Sequence, residues 1–132
     1  AGAAGAAPAM EGSMDELRIT AKELCYTAAL LGYARLVGVR HEFPLDETAQ
    51  ARELNEVKRA LNKRRLLREN SRGEITIDPA LADCAWLCAE PGECEIIDGN
   101  TTLYRADGRA MRLTRGEDGY TATFEEAGAW QT

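Results

Sequence analysis

Histidine and the large aromatics are scarce in this chain. His41 is the single histidine, and there are two phenylalanines and two tryptophans in 132 residues. One imidazole excludes a multi-histidine metal site and leaves a nucleophilic pair only one base of that kind. No stretch approaches the roughly 18 apolar residues that a membrane span needs. Lys22, Glu23, Arg35 and Arg40 interrupt the longest apolar runs, and a soluble protein is expected. A glycine-rich phosphate loop is also missing, since Gly92, Gly99, Gly108, Gly116 and Gly119 fall singly at expected turns. The first thirteen residues lack the basic start and large-residue apolar centre of a signal peptide. The expected compartment is therefore cytoplasmic and reducing, where disulfides do not persist.

The opening AGAAGAAPAMEGS has no hydrophobic period, and Gly12-Ser13 directly before Met14 resembles a cloning junction. Residues 1–13 are read as an appended, disordered linker, 14–126 as a single α+β domain, and 127–132 as a tail. About 119 residues from Met14 onward suffice for one core without staples. Charge is unevenly spread. Met14 to Ile77 carries 12 Lys/Arg against 10 Asp/Glu, whereas the chain from Asp78 onward carries 4 against 11. The net charge of −6 repels nucleic acid at long range, although a local basic patch can override it.

The expected fold is N-terminal helices followed by an antiparallel β-meander of about four strands packed on the helices. Thr20-Ala-Lys-Glu23 has the spacing of a capping box, with Ile19 and Leu24 placed as a hydrophobic staple. Leu24, Ala28 and Leu31 then repeat at helical spacing, which predicts a helix to about Leu36 that ends near Gly38. Pro44 disfavours a helical Phe43, so a second helix is expected from Asp46, striped by Leu54, Val57 and Leu61 and fraying near Glu69 to Ser71. A short extended piece at Glu74 to Ile77 leads into Asp78-Pro79, an N-cap followed by a proline at the first helical position. The third helix runs from Pro79 to Ala89, buries Leu81, Ala85 and Cys88, and stops at Glu90-Pro91-Gly92. Beyond Gly92 the period becomes two. Strands are expected at Glu93 to Ile97, Thr101 to Ala106, Arg109 to Arg115 and Gly119 to Glu125, with Asp107-Gly108 as a two-residue hairpin turn. Met111, Leu113, Tyr120, Ala122 and Phe124 mark the apolar face, and Arg112, Thr114, Thr121 and Thr123 the polar one.

The candidate chemistry is sparse. Cys84-x3-Cys88-x5-Cys94 would hold zinc only with Cys25 or His41 as a fourth ligand, and its spacing matches no CxxC pair. Buried thiols are the expected state, with no metal, cofactor or small-molecule substrate. A Cys–His nucleophilic pair stays open, because such partners meet in space and not in sequence. Carboxylate pairs such as Glu93/Glu95 and Glu125/Glu126 alternate along a strand or lie at a chain end, where solvation is expected. No catalytic residue is assigned, and the expectation is a protein without enzymatic activity.

The sharpest local feature is basic. Lys58, Arg59, Lys63, Arg64, Arg65, Arg68 and Arg72 crowd the end of the second helix. Such cations can complement the helix dipole or pair with acids of the meander half. As the alternative function, segment 58–72 within Leu54 to Ile77 would be the recognition helix and wing of a winged-helix DNA-binding domain. Lys63, Arg64 and Arg65 would then face the DNA. Against it, Ala51 to Leu67 holds no Gly or Pro to break the helix as a helix-turn-helix requires.

From LRITAKELCYTAALLGYARLVGV with its Leu31-Gly32 pair, the chain proceeds through ARELNEVKRALNKRRLLREN and the link GEITIDPALADCAWLCAEPGE. It then enters the strand run ECEIIDGNTTLYRADGRAMRLTRGEDGYTATFEE. This order resembles one half of an EspG-type chaperone of type VII secretion, over about Leu17 to Glu126. The resemblance implies a non-enzymatic cytosolic chaperone or adaptor that covers a helical secretion substrate before export. It transfers no partner-binding residue. Members of that family carry a second, similar half, so self-association through the sheet is the other partner expectation.

Overall fold

The computed structural model describes residues 16–126; the linker expected at 1–13 and the tail expected at 127–132 lie outside the described residues. The fold is α+β, and the described residues form three helices, a five-stranded antiparallel sheet and a two-stranded sheet. The described chain forms two compact units. Residues 16–20 and 90–126 make up one, and residues 21–89 the other.

In the first unit, β1 (Glu16–Ile19), β4 (Glu93–Ile96), β5 (Thr101–Ala106), β6 (Arg109–Arg115) and β7 (Tyr120–Glu126) form one sheet. Its order is β1-β7-β6-β5-β4. The last four are the meander that the period-two pattern and turn residues predict. Asp107 and Gly108 both have positive φ, 50° and 79°, as a type I′ turn requires. The addition is β1, a strand where a helical start is expected. Leu17 pairs with Ala122 and Ile19 with Tyr120. Gly119 makes this possible, because a Cβ there would lie 2.8 Å from the Ile19 carbonyl oxygen.

The registers place Leu17, Ile19, Ala122, Leu113, Met111 and Tyr104 on one face, and all six are buried. Cys94 opposite Tyr104 and Ile96 opposite Thr102 continue the same face to the sheet edge. Arg112, Thr121, Thr123, Arg105, Glu93 and Glu95 occupy the other face.

In the second unit, α1 (Ala21–Leu30) begins immediately after Thr20, where the capping-box spacing places it. It ends earlier than the expected Leu36. The Tyr33 N–H donates to the Ala28 carbonyl and the Gly32 N–H to that of Ala29, while Gly32 has φ +90°. This is a Schellman ending with glycine in the left-handed position. The α2 helix (Glu47–Lys63) starts at Asp46, whose carboxylate accepts from the Ala49 N–H. It ends at Lys63, short of the expected Glu69, because Arg65 adopts φ 63° and the Leu66 N–H turns back to the Leu61 carbonyl. The residues expected to fray become β2 (Leu67–Glu69), paired with β3 (Ile75–Ile77) around an Asn70 turn. The α3 helix (Pro79–Ala89) has the predicted bounds. Asp78 accepts from the Ala80 N–H at its start, and Leu81, Cys84, Ala85, Leu87 and Cys88 are buried. None of the described helices is long and apolar enough to cross a membrane.

Candidate functional site

Among the described residues, strand β4 is bonded to β5 on one side only and ends the sheet. All four of its residues are exposed; Ile96 is 75% accessible and the adjoining Ile97 50%. Large apolar side chains are rarely left in water along an edge strand, since unpaired N–H and C=O groups there already invite strand addition. The Ile97 N–H donates to the Thr101 carbonyl, so Ile97 faces β5. Antiparallel alternation then turns the backbone groups of Glu95 and Glu93 toward β5 and those of Cys94 and Ile96 outward. On the polar face, a shallow groove of about 310 Å³ is lined by Glu93, Cys94, Glu95, Leu103 and Arg105. Arg105 Nη1 lies 3.5 Å from Glu93 Oε1. No ion pair engages Glu95 among the described residues.

The basic segment is divided by the fold. Lys58 pairs with Glu69 and ties α2 to the β2–β3 hairpin. Arg64 turns back to Glu23, 41 residues away, with Nη1 3.4 Å from Oε1. Glu23 is 6% exposed, so Arg64, itself partly exposed, compensates a buried carboxylate. Arg59, Lys63, Arg65, Arg68 and Arg72 are exposed and make no ion pair among the described residues. They lie on a helix end followed by a two-stranded hairpin, as the winged-helix reading requires. The two helices before the hairpin, however, are joined by residues 31–46, far longer than the three- or four-residue turn of a helix-turn-helix.

Cys25 and His41 do meet, in a cleft of about 490 Å³ that also includes Ala28, Val39 and Phe43. Their contact runs through the His41 backbone, whose N–H donates to the thiol. The imidazole is engaged elsewhere. Its Nε2 bonds Glu53, and its ring stands edge-on to Phe43 with centroids 4.6 Å apart. Burial pushes the Cys25 thiol up against the opposing pull of that N–H, and Cys88 pushes it up further. A protonated thiol without an imidazole beside it is a poor nucleophile.

The remaining thiols also separate. Cys84 and Cys88 are buried one turn apart on α3, whereas Cys94 is exposed on β4 in the other unit. A hydrogen bond to Cys88, reinforced by burial and the charge of Asp83, keeps the Cys84 thiol protonated well above the ordinary thiol range. Among the described residues, no group of three or more His, Cys, Asp or Glu is arranged to hold a metal ion. Self-association through the sheet is expected from the sequence, but β4 is not singled out as the edge, because alternation reveals a strand and not whether a neighbour covers it. Exposed Ile96 and Ile97 in an otherwise acidic strand were the available signal. No protein-family model matches the chain, and no curated protein matches it in sequence.

Proposed function

We propose that this protein is a non-enzymatic, cytoplasmic protein-binding chaperone or adaptor that captures a partner segment along β4. The observation that carries the reading is an edge strand with no second neighbour among the described residues and two exposed isoleucines at its end. An extended segment added there would gain main-chain hydrogen bonds from Ile96 and cover its side chain, the ordinary energetics of β-augmentation. The EspG-like order of elements supplies the partner class, a helical substrate of type VII secretion whose extended flank would occupy the edge. Self-association is less favoured by charge. Antiparallel pairing of β4 with a second copy, centred on Cys94 or Glu95, sets glutamates against glutamates.

Co-expression with a helical-hairpin secretion substrate is expected to give a stable complex that Ile96→Lys disrupts. A complex indifferent to Ile96→Lys moves docking away from β4. Failure with every such substrate, while other proteins bind, removes the secretion assignment.

A second reading rests on the five cations at the α2 end and hairpin that make no ion pair among the described residues, which suit phosphate contacts. It requires salt-dependent binding to mixed duplex DNA that Lys63→Ala/Arg65→Ala/Arg68→Ala removes. Arg64 is excluded from that test because it pairs with the buried Glu23. No retention of duplex at low salt ends this reading.

A further inference from the structure

We propose that the cleft between α1 and the 31–46 connection binds a small amphiphile with one anionic head and an apolar tail. The inference is independent of partner docking at β4, since every residue lining the cleft belongs to the second unit. A connection of this length without regular structure is uncommon in a compact fold and is usually functional. Here it is tied to all three helices. The Val37 N–H donates to the Cys88 carbonyl on α3 at 2.8 Å, and the His41 N–H donates to the Cys25 thiol on α1. From α2, the Gln50 side chain donates to the Pro44 carbonyl at 3.1 Å, and Glu53 engages the His41 imidazole. The connection is thus anchored at several points around α1, and a space of about 490 Å³ is left between them.

The lining divides by polarity and depth. Ala28 and Val39 are buried, Leu36 and Phe43 are half-buried, and together they supply an apolar floor. The short side chains of Ala28 and Ala29 leave that floor clear. Arg35 and Arg40 also line the cleft but are exposed, which puts their charges at its mouth. Neither makes an ion pair among the described residues. No carboxylate is among the described lining residues, and Leu24 to His41 contains these two arginines and no Asp or Glu. In a chain of net charge −6 the mouth is therefore a local cationic rim. An apolar floor with a few placed polar groups is the usual make-up of a small-ligand site. A guanidinium suits a carboxylate or a phosphate, which it can bind through two parallel N–H donors. A purely polar anion would leave the floor unused, and a neutral apolar molecule would leave the arginines unused. An anionic amphiphile uses both.

The test uses the full chain with octanoate, decanoate, octyl phosphate and octanol as probes, read by titration calorimetry and by the rate of Cys25 alkylation. Octanoate is expected to bind and to slow Cys25 alkylation, because the thiol lines the cleft. A fully buried methylene tightens binding about fourfold, so decanoate should bind about tenfold or more tighter than octanoate. Octanol should bind about tenfold or more weakly than octanoate, and Arg35→Ala/Arg40→Ala should lower octanoate to the octanol level. Ala29→Phe, at an exposed position of α1, should abolish both binding and protection by narrowing the cleft. Octyl phosphate tighter than octanoate supports the proposal with a phosphate monoester as the head, and the reverse order supports it with a carboxylate. Octanol equal to octanoate would overturn the anionic head. Octanoate binding that survives both variants in folded protein and leaves Cys25 unprotected would overturn the cleft as the site. Binding to phosphatidylglycerol vesicles without binding of any monomeric probe would make the arginines a membrane contact and overturn the proposal, as would no binding at all.

Discussion

Arg65 occupies the left-handed region at φ 63°, a position that helices usually fill with glycine. A side chain there costs about 1 kcal/mol. Arg65→Gly is therefore expected to raise stability by up to about 1 kcal/mol in urea denaturation. If the basic hairpin contacts DNA, the same change lowers duplex affinity, so stability and binding move in opposite directions. The thiols form a second set of residue-scale outcomes. With the described environments, Cys94 reacts first with an alkylating reagent, Cys25 more slowly, and Cys84 and Cys88 only on unfolding, as mass spectrometry can follow. The Cys84 pKa is raised in the fold, so above about pH 9 the unfolded chain releases a proton that the folded chain keeps. Stability is full below that pH and falls as pH rises through the folded value. Cys84→Ala should flatten this alkaline loss.

At the scale of elements, the α3 helix and the β5–β6 hairpin were legible because their signals are local. Asp78-Pro79 starts the helix, Pro91-Gly92 stops it, and Asp107-Gly108 forces the turn. The ends of α1 and α2 were not. Leu31 continues the helical period and the 64–68 run contains good helix formers, yet Gly32 and a left-handed Arg65 end both helices in Schellman turns. Strand β1 was missed for a different reason. Four residues before a capping box carry little periodicity, and their partner β7 lies about a hundred residues away. The Gly119 contact gives this pairing a direct test. Gly119→Ala forces a Cβ against the Ile19 carbonyl and should cost about 1–3 kcal/mol. Hydrogen exchange at Leu17 to Ile19 is expected to accelerate. Unchanged exchange there would mean that β1 does not depend on this close approach.

For the molecule as a whole, the acidic half acquires a purpose from where its residues fall. Glu93 and Glu95 sit on the sheet's exposed edge, and charge on an edge strand guards against unintended pairing. The wild-type chain should sediment as a monomer, and Glu93→Val/Glu95→Val should associate in a concentration-dependent manner. Association of wild type and variant to the same degree would deny the glutamates a guarding role. The candidate site was only half visible beforehand. Carboxylate alternation at Glu93/Glu95 could be read, but only the sheet order placed β4 at the edge of the described sheet.

By itself the sequence determined the α+β class, the four-strand meander, its two faces and the bounds of α3. Each arises from turn residues, caps and side-chain period, which act over a few neighbours. Only the tertiary structure decided that β1 closes the far edge, that Arg64 pairs with Glu23 while five other cations make no ion pair among the described residues, and that β4 ends the described sheet. Those outcomes depend on which distant segments meet, and a local pattern of apolar and polar residues does not specify a partner far along the chain.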